Sequence, residues 1–91
     1  MDYSIRVACY ERVSTEEQSK HGLSIDAQIA ALGRWVTDQH HILVGHYTDA
    51  GVSGGKPIDK RPAMWRLLQD IQAGLVDLVI FTKLDRWFRS L

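Results

Sequence analysis

Side chains that could take part in catalysis, a hydroxyl and several guanidinium groups, lie near the ends of three apolar segments of the chain. Ser14 follows the first of these segments and carries the one hydroxyl that we single out as a candidate nucleophile. The guanidinium groups that flank it or follow the later segments are those of Arg12, Arg61, Arg86 and Arg89. Arginine presents a planar fork that matches phosphate oxygens. Several arginines offset the charge that builds up during attack on a phosphodiester. The pattern therefore predicts attack by Ser14 on a phosphodiester without a metal ion.

The spacing of the acidic residues and histidines does not indicate a metal site, and the number of cysteines excludes an internal disulfide. No group of carboxylates suggests a divalent-metal site, and the histidines show no paired ligand spacing: His21, His40, His41 and His46. The single cysteine, Cys9, cannot form an internal disulfide and is expected to be a small apolar strand residue, not a partner of the histidines. We therefore expect no metal and no cofactor.

Three strands and two helices are predicted to position these groups. Alternating or continuous apolar residues predict strands over residues 4–11, 42–47 and 77–82, with Ile42, Val44 and His46 on one face of the second. An apolar stripe predicts a first helix after the N-cap Ser24, with Asp26 in its first turn. A second helix begins near Pro62 and stops at Gly74. The two apolar faces consist of Ile25, Ile29, Leu32 and Val36, and of Met64, Leu67, Leu68 and Ile71.

The alternation of strands and helices predicts an α/β fold. We expect a three-layer, mainly parallel sheet with helices on both faces, and the start of a third helix near residue 91. Sites in such sheets form beyond the carboxyl ends of the strands. If the first strand is central, Ser14, Asp49 and the Asp85–Arg86 region meet at that edge. Arg61 ends the irregular stretch 48–60 and can fold over it.

Composition limits the class of protein. Ninety-one residues allow one domain, and the formal net charge is zero, with bases concentrated near residues 83–89. No apolar run reaches the roughly 18 residues of a membrane span, and no signal peptide is evident. A lone cysteine suits a cytoplasmic protein. The abrupt end at Leu91 suggests a piece of something longer.

Each candidate residue also has a structural interpretation. Ser14 could cap a helix that begins at Thr15, with Glu17 completing a capping box. Arg12 could be a solvated strand end, Arg61 could cap the second helix, and Asp85 could pair locally with Arg86. Trp35 and Trp65 are expected in the core and not as stacking platforms for bases. The shared position of the polar residues at one sheet edge favours the functional interpretation.

Two separated motifs resemble the signatures of the resolvase/invertase family of serine recombinases. These are YERVSTEEQ at 10–18 and KLDRWFR at 83–89, with SIDAQ at 24–28, DAGVSG at 49–54 and KRP at 60–62 in the expected order. The extra residues before Gln28 and the long loop 51–60 are similar to the large serine recombinases, which include phage integrases and transposon excision enzymes. The resemblance implies a truncated form of the resolvase-like fold, with flavodoxin-like topology.

The resemblance also implies roles for individual residues. Ser14 matches the nucleophile that forms a 5′-phosphoserine link, and Asp85 matches the acid that works beside the arginines. Residues matching the phosphate-binding arginines are Arg12, Arg61, Arg86 and Arg89. Supporting positions are Tyr10, Gln18, Gln28 and Asp49. One departure is the absence of a basic residue from 67 to 82, where Gln69, Asp70 and Gln72 stand.

Partners and domain organisation follow from the same resemblance. The family acts on double-stranded DNA recombination sites and assembles from dimer to tetramer, in the cytoplasm of bacteria that carry the phage or mobile element. Residues 1–91 match the amino-terminal part of the catalytic domain. We expect the chain alone to be inactive, because the rest of that domain and the DNA-binding region are absent from it.

Two other functions stay open. One is a flavodoxin-like module that binds a phosphoanion or small molecule, although Gly51, Gly54 and Gly55 lack the lysine-serine ending of a P-loop. The other is a catalytically inactive relative that assembles on DNA.

Overall fold

Four strands and two helices form the part of the chain that the structure describes. The computed structural model describes residues 4–13, 24–51, 57 and 60–82, and the backbone of 88–90. The elements are β1 (Arg6–Val13), α1 (Ile25–Asp38), β2 (Ile42–Ala50), α2 (Pro62–Gln72), β3 (Leu78–Thr82) and β4 (Phe88–Ser90). The sheet order is β2-β1-β3-β4, and β1 runs parallel to both of its neighbours. The first strand is therefore central, which meets the condition on which the convergence of the predicted site residues depends.

The sheet lies between two helices, which confirms the predicted three-layer α/β fold. Successive side chains of β1 point to opposite faces, so this strand contributes to both halves of the core. The cluster on the α1 face consists of Val7, Cys9, Leu32, Val36 and Ile80. The cluster on the α2 face consists of Ala8, Tyr10, Tyr47, Ala63, Leu67 and Val79. Both faces of β1 are thus buried, as its position in the middle of a parallel sheet requires.

The predicted helix signals are found where the sequence places them. The Ser24 hydroxyl accepts a hydrogen bond from the Ala27 amide at 3.1 Å and caps α1. Pro62 is the first residue of α2, where its missing N–H costs nothing. Gly74 follows the end of α2 with φ of +79°, a conformation that glycine adopts without steric cost. The entry and exit of the helices are therefore determined by local chemistry.

The start of β2 departs from the predicted alternation. Val7 pairs with Leu43 but Ala8 pairs with Gly45, so Val44 is an extra residue in this strand. Such a bulge shifts all later side chains to the opposite face. The predicted common face for Ile42, Val44 and His46 is therefore wrong. Ile42 and Val44 are 50% and 38% exposed on the edge strand, whereas the second half of β2 packs inward.

A strand replaces the third helix expected at the end of the chain. Residues 88–90 pair antiparallel with β3, matching Ser90 to Ile80 and Phe88 to Thr82. The physical reason is that the outer edge of β3 presents backbone donors and acceptors that a further strand satisfies. The expectation of a helix start there is wrong.

Trp65 does not lie in the core, and that expectation is wrong. It is 48% exposed, because it lies two positions from both Ala63 and Leu67, the buried residues of α2. Two helical positions correspond to about 200° of rotation, which directs Trp65 away from the sheet. Trp35 is partly buried against the cluster on the α1 face, as expected.

An ion pair connects the beginnings of β1 and β3. The Arg6 guanidinium donates to both carboxylate oxygens of Asp77, at 2.9 and 3.0 Å, and the Arg6 amide donates at 2.9 Å. The Asp77 amide returns a bond to the Arg6 carbonyl at 2.8 Å. The guanidinium bonds, followed by the backbone bond, lower the pKa of Asp77 from 3.8 to about 2.

Asp77→Asn should lower the free energy of unfolding above about pH 4 and have little effect near pH 2. The folded-state pKa of Asp77 lies below its ordinary value, so its contribution is complete above about pH 4. It is lost as the pH falls through 3.8 towards 2. Urea denaturation of wild type and Asp77→Asn over a pH series measures the difference. In an Arg6→Met background the difference should shrink. An undiminished difference at pH 2 would contradict the assignment.

Candidate functional site

A buried carboxylate joins two strands and a helix at the carboxyl end of the sheet. Asp49, 4% exposed near the end of β2, accepts the Tyr10 hydroxyl at 2.9 Å. It also accepts the backbone amides of Ala63 at 2.9 Å and Met64 at 3.1 Å. These amides belong to the first turn of α2, where no earlier turn supplies acceptors. Asp49 therefore caps α2 from a neighbouring strand.

Arg61 stands at the N-cap position of α2, but its side chain makes no capping bond. The interpretation of Arg61 as the cap of this helix is therefore wrong, and Asp49 takes that role. Arg61 instead reaches the Tyr10 hydroxyl, whose pKa it lowers through a hydrogen bond and its charge. Burial and the bond to Asp49 outweigh this and raise the pKa of Tyr10 to about 12. Tyr10 is thus a neutral phenol held between a carboxylate and a guanidinium.

Gln28 attaches the end of β1 to α1. Its side-chain amide donates to the Arg12 carbonyl at 3.1 Å and accepts from the Arg12 amide at 3.3 Å. Gln28 is 4% exposed, so both bonds are shielded from water. In the sheet, Arg12 pairs with Asp49. The backbone two residues before Ser14 is therefore held from β2 and from α1 together.

The described part of the chain brings together five of the predicted site residues. They are Tyr10, Arg12, Gln28, Asp49 and Arg61. Ser14, Gln18, Asp85 and Arg86 lie outside the described residues. The backbone of Arg89 lies in β4 opposite Phe81, and Phe81 pairs with Tyr10 on its other side. The catalytic and supporting roles of all these residues stay predictions.

The opposite face of the sheet carries a polar cluster that the sequence reasoning missed. Glu11 is completely buried and accepts the Thr48 hydroxyl at 2.8 Å. His46 Nδ1 lies 2.5 Å from the other Glu11 oxygen. Cys9 lies beside them, and burial followed by the Glu11 charge raises the pKa of its thiol to about 12. The expectation that no cysteine joins a histidine is therefore wrong. The missed signal is a polar Glu11 two residues after Cys9 on a buried strand.

Tyr47 connects β2 to the outer part of α2. Its hydroxyl donates to Asp70 at 2.6 Å, and the Arg66 guanidinium lies 5.1 Å from its ring centre. Burial, followed by the bond to Asp70, raises the pKa of Tyr47 to about 12. Asp70 thus has a structural partner in this chain.

A family model and two curated proteins match this chain. Residues 7–91 match the family described as the resolvase N-terminal domain. A candidate DNA recombinase of Bacillus subtilis (strain 168) is 42% identical over 85 residues, which are 93% of this chain and 16% of that protein. An uncharacterised immunity region protein of Bacillus phage phi105 is 40% identical over 70 residues, 77% of this chain and 83% of its own length.

The structural comparison points the same way. The crystal structure of the N-terminal catalytic domain of TP901-1 integrase matches with a TM-score of 0.76 and 46% identity. The match covers 89% of this chain and 58% of that one. The chain thus spans less than two thirds of the integrase domain and about one sixth of the Bacillus subtilis protein. Within the described residues, neither helix is long and apolar enough to cross a membrane.

Asp49→Ala should destabilise the chain by about 3–5 kcal/mol, because it leaves two helix amides and a buried hydroxyl without their charged acceptor. Urea denaturation followed by circular dichroism measures the change. Asp26→Asn, an exposed carboxylate in α1, is the control and should change the free energy of unfolding by no more than about 0.5 kcal/mol. Equal effects of the two substitutions would show that Asp49 is not the connection described.

Proposed function

The chain belongs to the resolvase N-terminal domain family of serine recombinases, and we propose that it supplies the nucleophile and phosphate-binding groups for site-specific DNA recombination. The observation that carries the proposal is the cluster at the carboxyl ends of β1 and β2. There Tyr10, Asp49 and Arg61 form one connected group, and Gln28 holds the backbone of Arg12. Ser14, two residues beyond Arg12, is assigned as the nucleophile.

The proposed reaction is a direct transfer of the phosphodiester. The Ser14 oxygen attacks phosphorus, the bond from phosphorus to the 3′ oxygen breaks, and a 5′-phosphoserine link forms. The serine loses its proton, and the leaving 3′ oxygen gains one to become a hydroxyl. Asp85 is assigned to proton transfer beside the arginines. Rejoining reverses these steps with a new 3′ hydroxyl. The phosphoserine link conserves the energy of the broken phosphodiester bond, so no ATP is required. The arginines take the place of a metal ion in this proposal, and no cofactor is assigned.

The arginines carry the electrostatic part of the mechanism. Attack increases the negative charge on the phosphate oxygens, and guanidinium groups held in place stabilise that charge. Arg12 and Arg61 are supported by their position at the described edge, and Arg86 and Arg89 are assigned from the second motif. Tyr10, Gln28 and Asp49 are positioning residues: the first two contact Arg61 and the Arg12 backbone, and Asp49 determines where α2 begins.

The proposed substrate and partners follow from family membership. The substrate is double-stranded DNA at a pair of recombination sites, cut by a protein that assembles from dimer to tetramer in the cytoplasm of a bacterial host. We assign the chain to the amino-terminal part of a catalytic domain. The match to 58% of the integrase domain supports this. We expect the chain to recombine DNA only within a complete recombinase.

A phosphoanion-binding module is the less favoured function. Such modules place the anion at a helix N-terminus, where free amides bind it. At α2 the amides of Ala63 and Met64 donate to Asp49, and at α1 the Ala27 amide donates to Ser24. In the described residues, these groups already have acceptors. Stabilisation of the chain by a nucleotide would support the module instead.

Ser14→Ala in the complete recombinase should abolish strand cleavage, because no other hydroxyl is assigned to form the link to DNA. Denaturing gels report the covalent protein–DNA adduct. Amplification across the native flanking DNA reports the recombinant junction. Ser4→Ala, two residues before the start of β1, is the matched control and should keep both products. An adduct that persists in Ser14→Ala would remove this residue from the mechanism. No adduct in either protein would favour the inactive relative.

Arg61→Ala should slow cleavage by about 10²–10³-fold, the cost of removing one group that stabilises transition-state charge. Single-turnover cleavage rates measure it. Arg34→Ala, on the exposed side of α1, is the control and should retain the wild-type rate. Thermal melting of both variants separates a rate effect from unfolding. A rate for Arg61→Ala within threefold of Arg34→Ala would contradict the assigned role.

A further inference from the structure

Three possible metal ligands meet on the α1 face of the sheet. Cys9 and Glu11 are two residues apart on β1, so their side chains share a face. His46 is the residue of β2 that pairs with Cys9. The Cys9 sulfur, a Glu11 oxygen and a His46 ring nitrogen all lie within 4.8 Å of one another. Two ligands on one strand and a third on its neighbour thus converge on a single point.

We propose that Cys9, Glu11 and His46 bind a zinc-class divalent cation. Zinc accepts sulfur, nitrogen and oxygen ligands, and three protein ligands with one water molecule complete a tetrahedral site. One thiolate and one carboxylate balance the charge of the ion, whereas the imidazole binds as a neutral ligand. A site buried beneath α1 therefore carries no net charge, which removes the main cost of placing an ion there. Binding releases the Cys9 proton to solvent.

The local geometry supports this ligand set. Two ligand atoms of a tetrahedral zinc site, each about 2.0–2.3 Å from the ion, stand about 3.3–3.8 Å apart. The three ligand atoms lie within 4.8 Å of one another, and His46 Nδ1 and Glu11 stand 2.5 Å apart, so an ion between them requires this pair to separate by about 1 Å. His46 already directs Nδ1 at Glu11, and Gly33 lies beside Nε2 on the other edge of the ring. Thr48 donates to the second Glu11 oxygen and would orient the carboxylate from outside the site.

The proposed cation site is separate from the proposed reaction. Tyr10 belongs to the core on the α2 face, whereas Cys9 belongs to the core on the α1 face. A bound ion would connect β1 to β2 on the α1 face, whereas the proposed reaction uses Tyr10 and Arg61 on the α2 face. A test of cation binding and a test of recombination can therefore give different outcomes, and neither outcome decides the other.

Cobalt titration of the purified full chain tests the site. Cys9 is the only cysteine, so a thiolate-to-cobalt charge-transfer band reports this residue alone. We expect the band to saturate at one Co²⁺ per chain and to bleach when Zn²⁺ is added. Zn²⁺ should also raise the melting temperature. Absence of the band in folded wild type, or cobalt bound without it, would overturn the proposal.

Variants separate the site from accidental binding. Glu11→Gln and His46→Gln should each weaken the cobalt band strongly, and Thr48→Val should weaken affinity by about 10–100-fold as an outer partner. His40→Asn removes an imidazole outside the cluster and should leave the band unchanged. A band that survives both ligand substitutions would also overturn the proposal. If those variants fail to fold, the wild-type stoichiometry and melting shift decide.

Discussion

The buried carboxylate of Asp49 determines how the two halves of the described structure meet. A charge without solvent is costly unless donors surround it, and here a hydroxyl from β1 and two amides from α2 do so. The start of α2 is thereby fixed against the sheet. Arg61, which immediately precedes Pro62, is brought to Tyr10 for this reason and not by any signal of its own. The position of one guanidinium thus depends on a carboxylate contributed by another element.

The alternation of side chains along β1 divides the polar groups between two faces. Tyr10 faces α2, whereas Cys9 and Glu11 face α1, and Glu11 bonds to His46 and Thr48 of the neighbouring strand β2. Gln28 then reaches from α1 to the backbone at Arg12. No buried side-chain polar atom in the described ranges lacks a hydrogen-bond partner. A strand held from both faces and both neighbours provides the stiff support that precise positioning of a nucleophile needs.

The features that could be predicted from the sequence depend on residues close together in the chain. The Ser24 cap and the Pro62 start act within one helical turn, so the helices were predicted close to their true positions. The α/β fold with a parallel sheet followed from the alternation of elements, whereas the order of the strands did not. The bulge at Val44, the strand at 88–90 and the contact between Glu11 and His46 depend on which residues pair across the sheet. Pairing joins residues 35 positions apart in the last case, and no local pattern specifies it.

A formal net charge of zero does not argue against an anionic substrate in this chain. Some of the carboxylates that contribute to that total are used inside the fold: Asp49 accepts amides and a phenol, and Asp70 accepts the Tyr47 hydroxyl. Glu11 lies on the face of the sheet turned away from Tyr10. Attack on a phosphodiester depends on the potential at the reacting phosphate, not on the sum over the surface. Because Asp49 is occupied by its donors, a chain of zero net charge can hold the Arg61 guanidinium beside Tyr10 at the carboxyl end of its sheet.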